Sequence, residues 1–134
     1  MSEFVWSARV YWEDTDGGGV VYYANYLRFF ERARTEWLRA MGHSQTGLAQ
    51  DPGVLFAVAE VHVHFHRPAR LDDLLIISCA PSVEGATTLL FKQQLHRDDA
   101  HRELLATARV RVVCVGSESF RPRRLPQAII QGLH

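Results

Sequence analysis

The segment Tyr11-Trp12-Glu13-Asp14-Thr15-Asp16-Gly17-Gly18-Gly19-Val20-Val21-Tyr22-Tyr23-Ala24-Asn25-Tyr26 carries the densest chemistry in the chain. Three glycines separate a pair of carboxylates from the start of a helical pattern. Glycine lets a ligand approach the backbone with no Cβ in the way. A helix start presents unpaired N–H groups and the positive end of its dipole. Donors of that kind stabilise an oxyanion during acyl transfer. A carboxylate just upstream can act as nucleophile, or as general base toward water. The same residues also fit a plain helix cap, in which Asp14 or Asp16 accepts N–H bonds and the glycines make the turn. Spacing alone leaves both readings open.

Other clusters are weaker. His62, His64 and His66 alternate along one strand face. Two of them could share a metal, but the outer pair lies about 13 Å apart along a strand, too far for one ion. The expected reading is a polar strand face at a subunit contact, with no metal and no cofactor. Arg67 and Arg70 flank Pro68, and Arg121, Arg123 and Arg124 sit near the C-terminus. Arg geometry suits phosphate; pairing of Arg67 and Arg70 with Asp72 or Asp73 is the alternative. Thr15 is expected to serve as a turn hydroxyl and Asp14 to hold the turn.

These residues must be positioned by a small domain. The chain has 134 residues, near the usual size of one domain. At 47% hydrophobic and 22% charged residues it has globular composition. Fifteen basic and fifteen acidic residues cancel, so there is no electrostatic footprint for nucleic acid. Lys92 is the only lysine. Cys79 and Cys114 lie in apolar runs and are expected to be buried thiols, which fits a reducing cytoplasm. No signal-like start and no long apolar run is present, so neither export nor a membrane span is expected.

Phe4 to Trp12 reads as a first strand. Residues 20–41 then carry Tyr22, Tyr26, Phe29, Phe30, Ala33, Trp37 and Met41 at steps of three and four, which predicts one long helix stopped at Gly42. Arg32 and Glu36 are spaced to pair on its outer side. After a loop around Asp51-Pro52-Gly53, the alternation at Val61, Val63 and Phe65 predicts a strand. Leu74 to Val83, Thr87 to His96 and Glu103 to Val115 predict three more. Short connections imply antiparallel neighbours. The expected fold class is α+β, an antiparallel sheet of about five strands wrapped around one long central helix. Residues 116–134 lose periodicity and read as a tail or a loosely packed short helix.

The stretch Tyr11 to Met41, with its Asp-x-Asp-x-x-Gly-Val-Val-Tyr-x-x-x-Tyr pattern, resembles the hotdog-fold acyl-CoA thioesterases. It is similar to the 4-hydroxybenzoyl-CoA thioesterase family, and within it to the Tol–Pal-associated acyl-CoA thioesterase branch. Glu31-Arg32-Ala33-Arg34-Thr35-Glu36 and Arg67-Pro68-Ala69-Arg70-Leu71-Asp72-Asp73-Leu74 match that branch too. The likeness runs over roughly residues 5–115.

The resemblance implies the hotdog fold and hydrolysis of an acyl-CoA thioester to a carboxylic acid and free coenzyme A. It places Asp16 as the catalytic carboxylate, Tyr23 as the residue whose backbone N–H polarises the carbonyl, and Gly19 as the glycine that clears the approach. Val20, Val21, Tyr22 and Tyr26 are then expected to line the acyl site, and Arg67 and Arg70 to meet the coenzyme A phosphates. Many members of the branch carry His where Tyr23 stands, so a side-chain role for that His is absent here; any non-proline residue still supplies the N–H. The family implies a homodimer or homotetramer with sites between subunits. A hotdog lyase would want His beside the acid, and none lies between Ser2 and Gly42. The remaining alternative is a non-catalytic module that binds acyl thioesters or acyl carrier protein.

Overall fold

The computed structural model describes residues 4–133. Strand β1 (Phe4–Arg9) leads through a 3-10 turn (Trp12–Asp14) and the glycine loop into a second 3-10 turn (Tyr23–Asn25). Helix α1 (Tyr26–Ala40) follows, then a short helix α2 (Gln45–Gln50), and strands β2 (Val54–Phe65), β3 (Leu74–Val83), β4 (Thr88–Arg97) and β5 (Leu104–Gly116). Helix α3 (Gln127–Gly132) closes the described chain. The five strands form one sheet in the order β1-β3-β4-β5-β2, antiparallel throughout. β1 and β2 are its edges.

The alternation that predicted the strands also builds the core. Leu75, Ile77 and Cys79 of β3, Leu89, Phe91 and Leu95 of β4, and Ala106, Ala108, Val110, Val112 and Cys114 of β5 are buried. They form one cluster with Tyr26, Phe29, Phe30, Ala33 and Trp37 of α1. Trp37 meets Phe91 edge to face, ring centroids 5.3 Å apart. The expected arrangement of one sheet around one helix is thus present, and Cys79 and Cys114 are buried as expected.

Several boundaries differ from the expectation. The helix begins at Tyr26, not at residue 20. Val21 N–H donates to Ala69 O at 2.8 Å and Tyr22 N–H to Asp14 O at 2.9 Å, so long-range bonds claim the donors that a continuous helix would use. β1 ends at Arg9 because the Asp14 carboxylate captures Tyr11 N–H at 2.8 Å and turns the chain. The loop before β2 holds α2, capped by Ser44 Oγ, which accepts Gly47 N–H at 3.0 Å. β2 starts at Val54, well before the alternating residues that announced it. Glu36 pairs with Arg39 at 2.5 Å rather than with Arg32.

The C-terminal segment forms a short helix, one of its two expected readings, but it is docked and not loose. Gly116 N–H donates to Arg121 O at 2.9 Å, Arg123 N–H to Cys114 O at 2.8 Å and Leu125 N–H to Ala86 O at 2.9 Å. These bonds steer Leu125 and Ile129 into the core, where Ile129 is fully buried. Its short apolar content hid this, since a single helical turn shows no period.

Candidate active site

The glycine loop is a closed structure. Thr15 bridges Val21, and Asp16 N–H donates to Val20 O at 3.0 Å, so the chain folds back on itself across the glycines. Gly17 and Gly19 have φ of +91° and +84°, a left-handed conformation that favours glycine. A Cβ at Gly19 would meet nothing within 4 Å, so the space beside it is open. Leu71 N–H donates to Gly19 O at 2.9 Å and Val20 bridges Arg70, which docks the loop on the Arg67–Leu74 segment.

Asp14 anchors this loop. Its buried carboxylate accepts Tyr11 N–H through Oδ2 at 2.8 Å and Asn25 Nδ2 through Oδ1 at 2.7 Å. Its carbonyl accepts Tyr22 N–H. One residue thereby ties the end of β1 to the start of the helical segment. Thr15 Oγ1 donates to Trp12 O at 2.7 Å, a turn hydroxyl as expected. Asp16 points outward and is exposed; its Oδ1 accepts Gly18 N–H at 2.9 Å. Tyr23 is the first residue of its 3-10 turn, so its N–H has no acceptor within that turn. The loop therefore presents an exposed carboxylate close in sequence and in space to a helix start.

The expected substrate-lining residues divide. Tyr22 and Tyr23 are exposed, with rings 4.9 Å apart, and Val20 is half-buried. Val21 and Tyr26 are buried. The Tyr26 hydroxyl accepts Ala69 N–H at 2.9 Å, and burial pushes its phenol above the ordinary range. Tyr26 and Val21 thus hold the loop to the Arg67–Leu74 segment. Phe65 of β2 packs edge-on against both Tyr23 and Tyr26, at 6.5 and 5.1 Å.

The arginines pair differently from the Asp72 or Asp73 alternative. Arg67 Nε lies 3.0 Å from Glu103, and Asp73 takes Arg97 at 3.0 Å. Only the Arg70 backbone reaches Asp73, donating at 2.9 Å. The sequence spacing suggested Asp72 and Asp73 because they are near in the chain; β5 brings Glu103 nearer in space. Arg123 Nη2 donates to Pro52 O at 3.4 Å. The rings of His64 and His66 stack at 4.3 Å, and His62 lies 3.4 Å from Glu60. Among the described residues no three His, Cys, Asp or Glu side chains gather as a metal would need.

Sequence reasoning gave no role to Asn25 or to Gln93. Asn25 is buried beside the helix start, where its amide completes the Asp14 anchor. A polar residue two places into a helical segment next to a carboxylate pair is the signal that could have flagged it. Gln93 sits on the buried face of β4, where a polar residue breaks an otherwise apolar alternation.

Known proteins resemble this chain in sequence and in fold. The acyl-CoA thioester hydrolase YbgC of Escherichia coli O6:H1 is 46% identical over 127 residues, covering 95% of this chain and 92% of the relative. The acyl-CoA thioesterase YbgC of Haemophilus influenzae is 40% identical, covering 98% and 94%. The crystal structure of a 1,4-dihydroxy-2-naphthoyl-CoA thioesterase from Synechocystis superposes with a TM-score of 0.90 over 98% of this chain and 96% of its own, at 23% identity, a likeness of fold alone. The family profile of the thioesterase-like superfamily matches residues 10–133, and with relatives this similar over nearly its whole length the chain belongs to that superfamily.

Proposed function

We propose that this chain is an acyl-CoA thioester hydrolase whose working carboxylate is Asp16. The observation that carries the assignment is the contrast between the two acids of the loop. Asp14 is buried and fully engaged, whereas Asp16 is exposed beside an open glycine and a helix start. Hydrolysis adds the oxygen of water to the thioester carbon and breaks the C–S bond. With Asp16 as general base, the proton it takes from water passes to the departing thiolate. With Asp16 as nucleophile, its own oxygen forms the new bond and water then opens the anhydride. Both routes yield a carboxylic acid and free coenzyme A. The Tyr23 N–H faces the carbonyl oxygen as it gains charge, and Gly19 leaves room for the thioester. One such donor contributes about 3 kcal/mol to lowering the barrier.

The working unit in this reading is a homodimer or larger. β2 is a twelve-residue edge strand with Val58, Val61 and Phe65 exposed at 50%, 38% and 46%. A long apolar edge pairs with another strand unless something blunts it. Pairing with β2 of a second copy would also cover the seam between β2 and α1, keeping bulk water from the reacting thioester. Among the described residues no helix is long and apolar enough to cross a membrane. Two buried thiols suit a cytoplasmic setting.

The test is thiol release from a panel of short, long and aromatic acyl-CoAs, by wild type and Asp16→Ala in parallel. Wild-type turnover and a loss of at least ~100-fold in a folded variant is the expected result. Turnover by Asp16→Ala close to wild type would overturn the assignment. Saturable binding without thiol release from either coenzyme A or acyl carrier protein thioesters would make the chain a binding module.

A further inference from the structure

A cavity of about 270 Å³ lies beneath the C-terminal half of α1. Trp37, Phe56, Phe91 and Val112 line its apolar side, and Arg34 and Glu31 its polar side. Arg34 is held in an unusual way. Its Nη1 donates to Gln93 Oε1 at 3.1 Å. Gln93 is 1% exposed, and its Nε2 donates to Phe30 O at 3.0 Å and to Ser78 O at 3.4 Å. With the amide nitrogen committed, Oε1 is fixed as an acceptor that aims the guanidinium.

A guanidinium carries five N–H donors, and the nitrogen that reaches Gln93 meets a neutral partner. Among the described residues no carboxylate lies within the 4.0 Å of an ion pair to Arg34. Glu31 is exposed, and its carboxylate accepts the Thr35 hydroxyl. Burial lowers the Arg34 pKa, opposed first by the neighbouring Cys79 and then by Glu31. A cation removed from water without a counter-charge costs free energy. Here it borders empty space large enough for part of a ligand.

The cavity and the helix start occupy two ends of one seam. Phe65, at the end of β2, packs on Tyr23 and Tyr26, while Phe56, near its beginning, lines the cavity with Arg34. Arg34 lies eight residues beyond Tyr26, about 12 Å along the helix, and long helical side chains lean back toward the N-terminus. That is the reach of a medium acyl chain whose thioester sits at Tyr23.

We propose that the distal end of the acyl group seats in this cavity and that Arg34 selects chains ending in a carboxylate over chains ending in a methyl. The proposal rests on the hydrolase reading above. The apolar wall takes the methylenes, and the guanidinium offers its free edge to two oxygens at once. Glu31 opposes weakly, because its charge is exposed and screened.

The experiment compares decanoyl-CoA with decanedioyl-CoA, the same chain ending in a methyl and in a carboxylate. The readout is the ratio of their kcat/KM values in wild type, Arg34→Gln and Arg34→Lys. The wild-type ratio is expected to favour decanedioyl-CoA, and Arg34→Gln to lower it by roughly 10- to 100-fold, the range for a charge-assisted hydrogen bond. Arg34→Lys, a point charge without the fork, should fall between. A wild-type ratio at or below one, or a ratio that Arg34→Gln leaves unmoved while both rates fall together, overturns the proposal. A parallel arm measures binding of the matching uncleavable thioethers by calorimetry. If wild type hydrolyses neither ester, the hydrolase reading fails, and the thioether pair still decides whether Arg34 recognises the carboxylate.

Discussion

Asn25 Nδ2 donates to Asp14 Oδ1 at 2.7 Å in a buried pair that fastens the two ends of the glycine loop together. The pair separates the duties of the two loop acids. Asp14 spends its carboxylate on structure, which leaves Asp16 free to face outward. Losing the Asn25 amide deprives a buried carboxylate of one of its donors, a cost of about 1.5–3 kcal/mol. Asn25→Ala should therefore lower the unfolding free energy obtained by urea titration by that amount, with a lower midpoint, and reduce thiol release, although Asp16 is untouched. An unchanged midpoint would show that the pair is not what holds the loop.

Gly19 adopts φ +84° with open space where a Cβ would stand. Gly19→Ala therefore meets no clash, and only the backbone preference opposes it, by about 1 kcal/mol. The expected outcome is a small loss of stability by denaturant titration, with a larger fractional loss of kcat, because the loop shape and the clearance beside Asp16 both change. A loss of several kcal/mol would mean that the loop is packed in solution.

Tyr26 links stability to pH. Burial raises its phenol pKa, so the fold prefers the neutral form. That contribution is complete below the ordinary value near ~10 and is lost as pH rises through the raised folded value. Tyr26→Phe should remove this alkaline loss. At neutral pH it should cost about 1–3 kcal/mol, because the buried Ala69 N–H loses its acceptor. Melting curves of both proteins from neutral to strongly alkaline pH check the two signs together.

Ile129 is fully buried although it lies in the segment that looked like a tail. Ile129→Ala should destabilise the fold by about 2–5 kcal/mol, the range for a deleted core side chain. A shift under 0.5 kcal/mol, typical of surface changes, would show that the C-terminal helix is undocked in solution.

Val61 stands on the exposed edge of the sheet. If β2 pairs with a second β2, a charge there blunts the contact. Light scattering should find wild type at a multiple of 15.3 kDa and Val61→Lys shifted toward that mass, with thiol release reduced. A monomeric wild type with full activity would remove the subunit contact from the mechanism.

Much of this was legible in the chain because local pattern and tertiary need coincide. The steps of three and four from Tyr26 to Trp37 are the buried stripe of α1, and the alternation in β3, β4 and β5 is the face that receives it. The acidic glycine motif was legible too, since left-handed turns beside a helix start demand those residue types. Asn25 and Gln93 were not, because a polar side chain announces neither its burial nor its partner.

By itself, the amino-acid sequence determined an antiparallel sheet of about five strands, one long helix and a carboxylate–glycine motif at the helix start, because periodicity and turn chemistry are local properties. Only the tertiary structure decided that α1 starts at Tyr26, that Asn25 completes the Asp14 anchor, that Arg67 belongs to Glu103, and that Ile129 joins the core. Each of those outcomes turns on a hydrogen bond, ion pair or packing contact between residues distant in the chain or across the closed loop. Which of several competent groups makes such a contact depends on distance and burial in three dimensions, quantities that residue spacing does not encode.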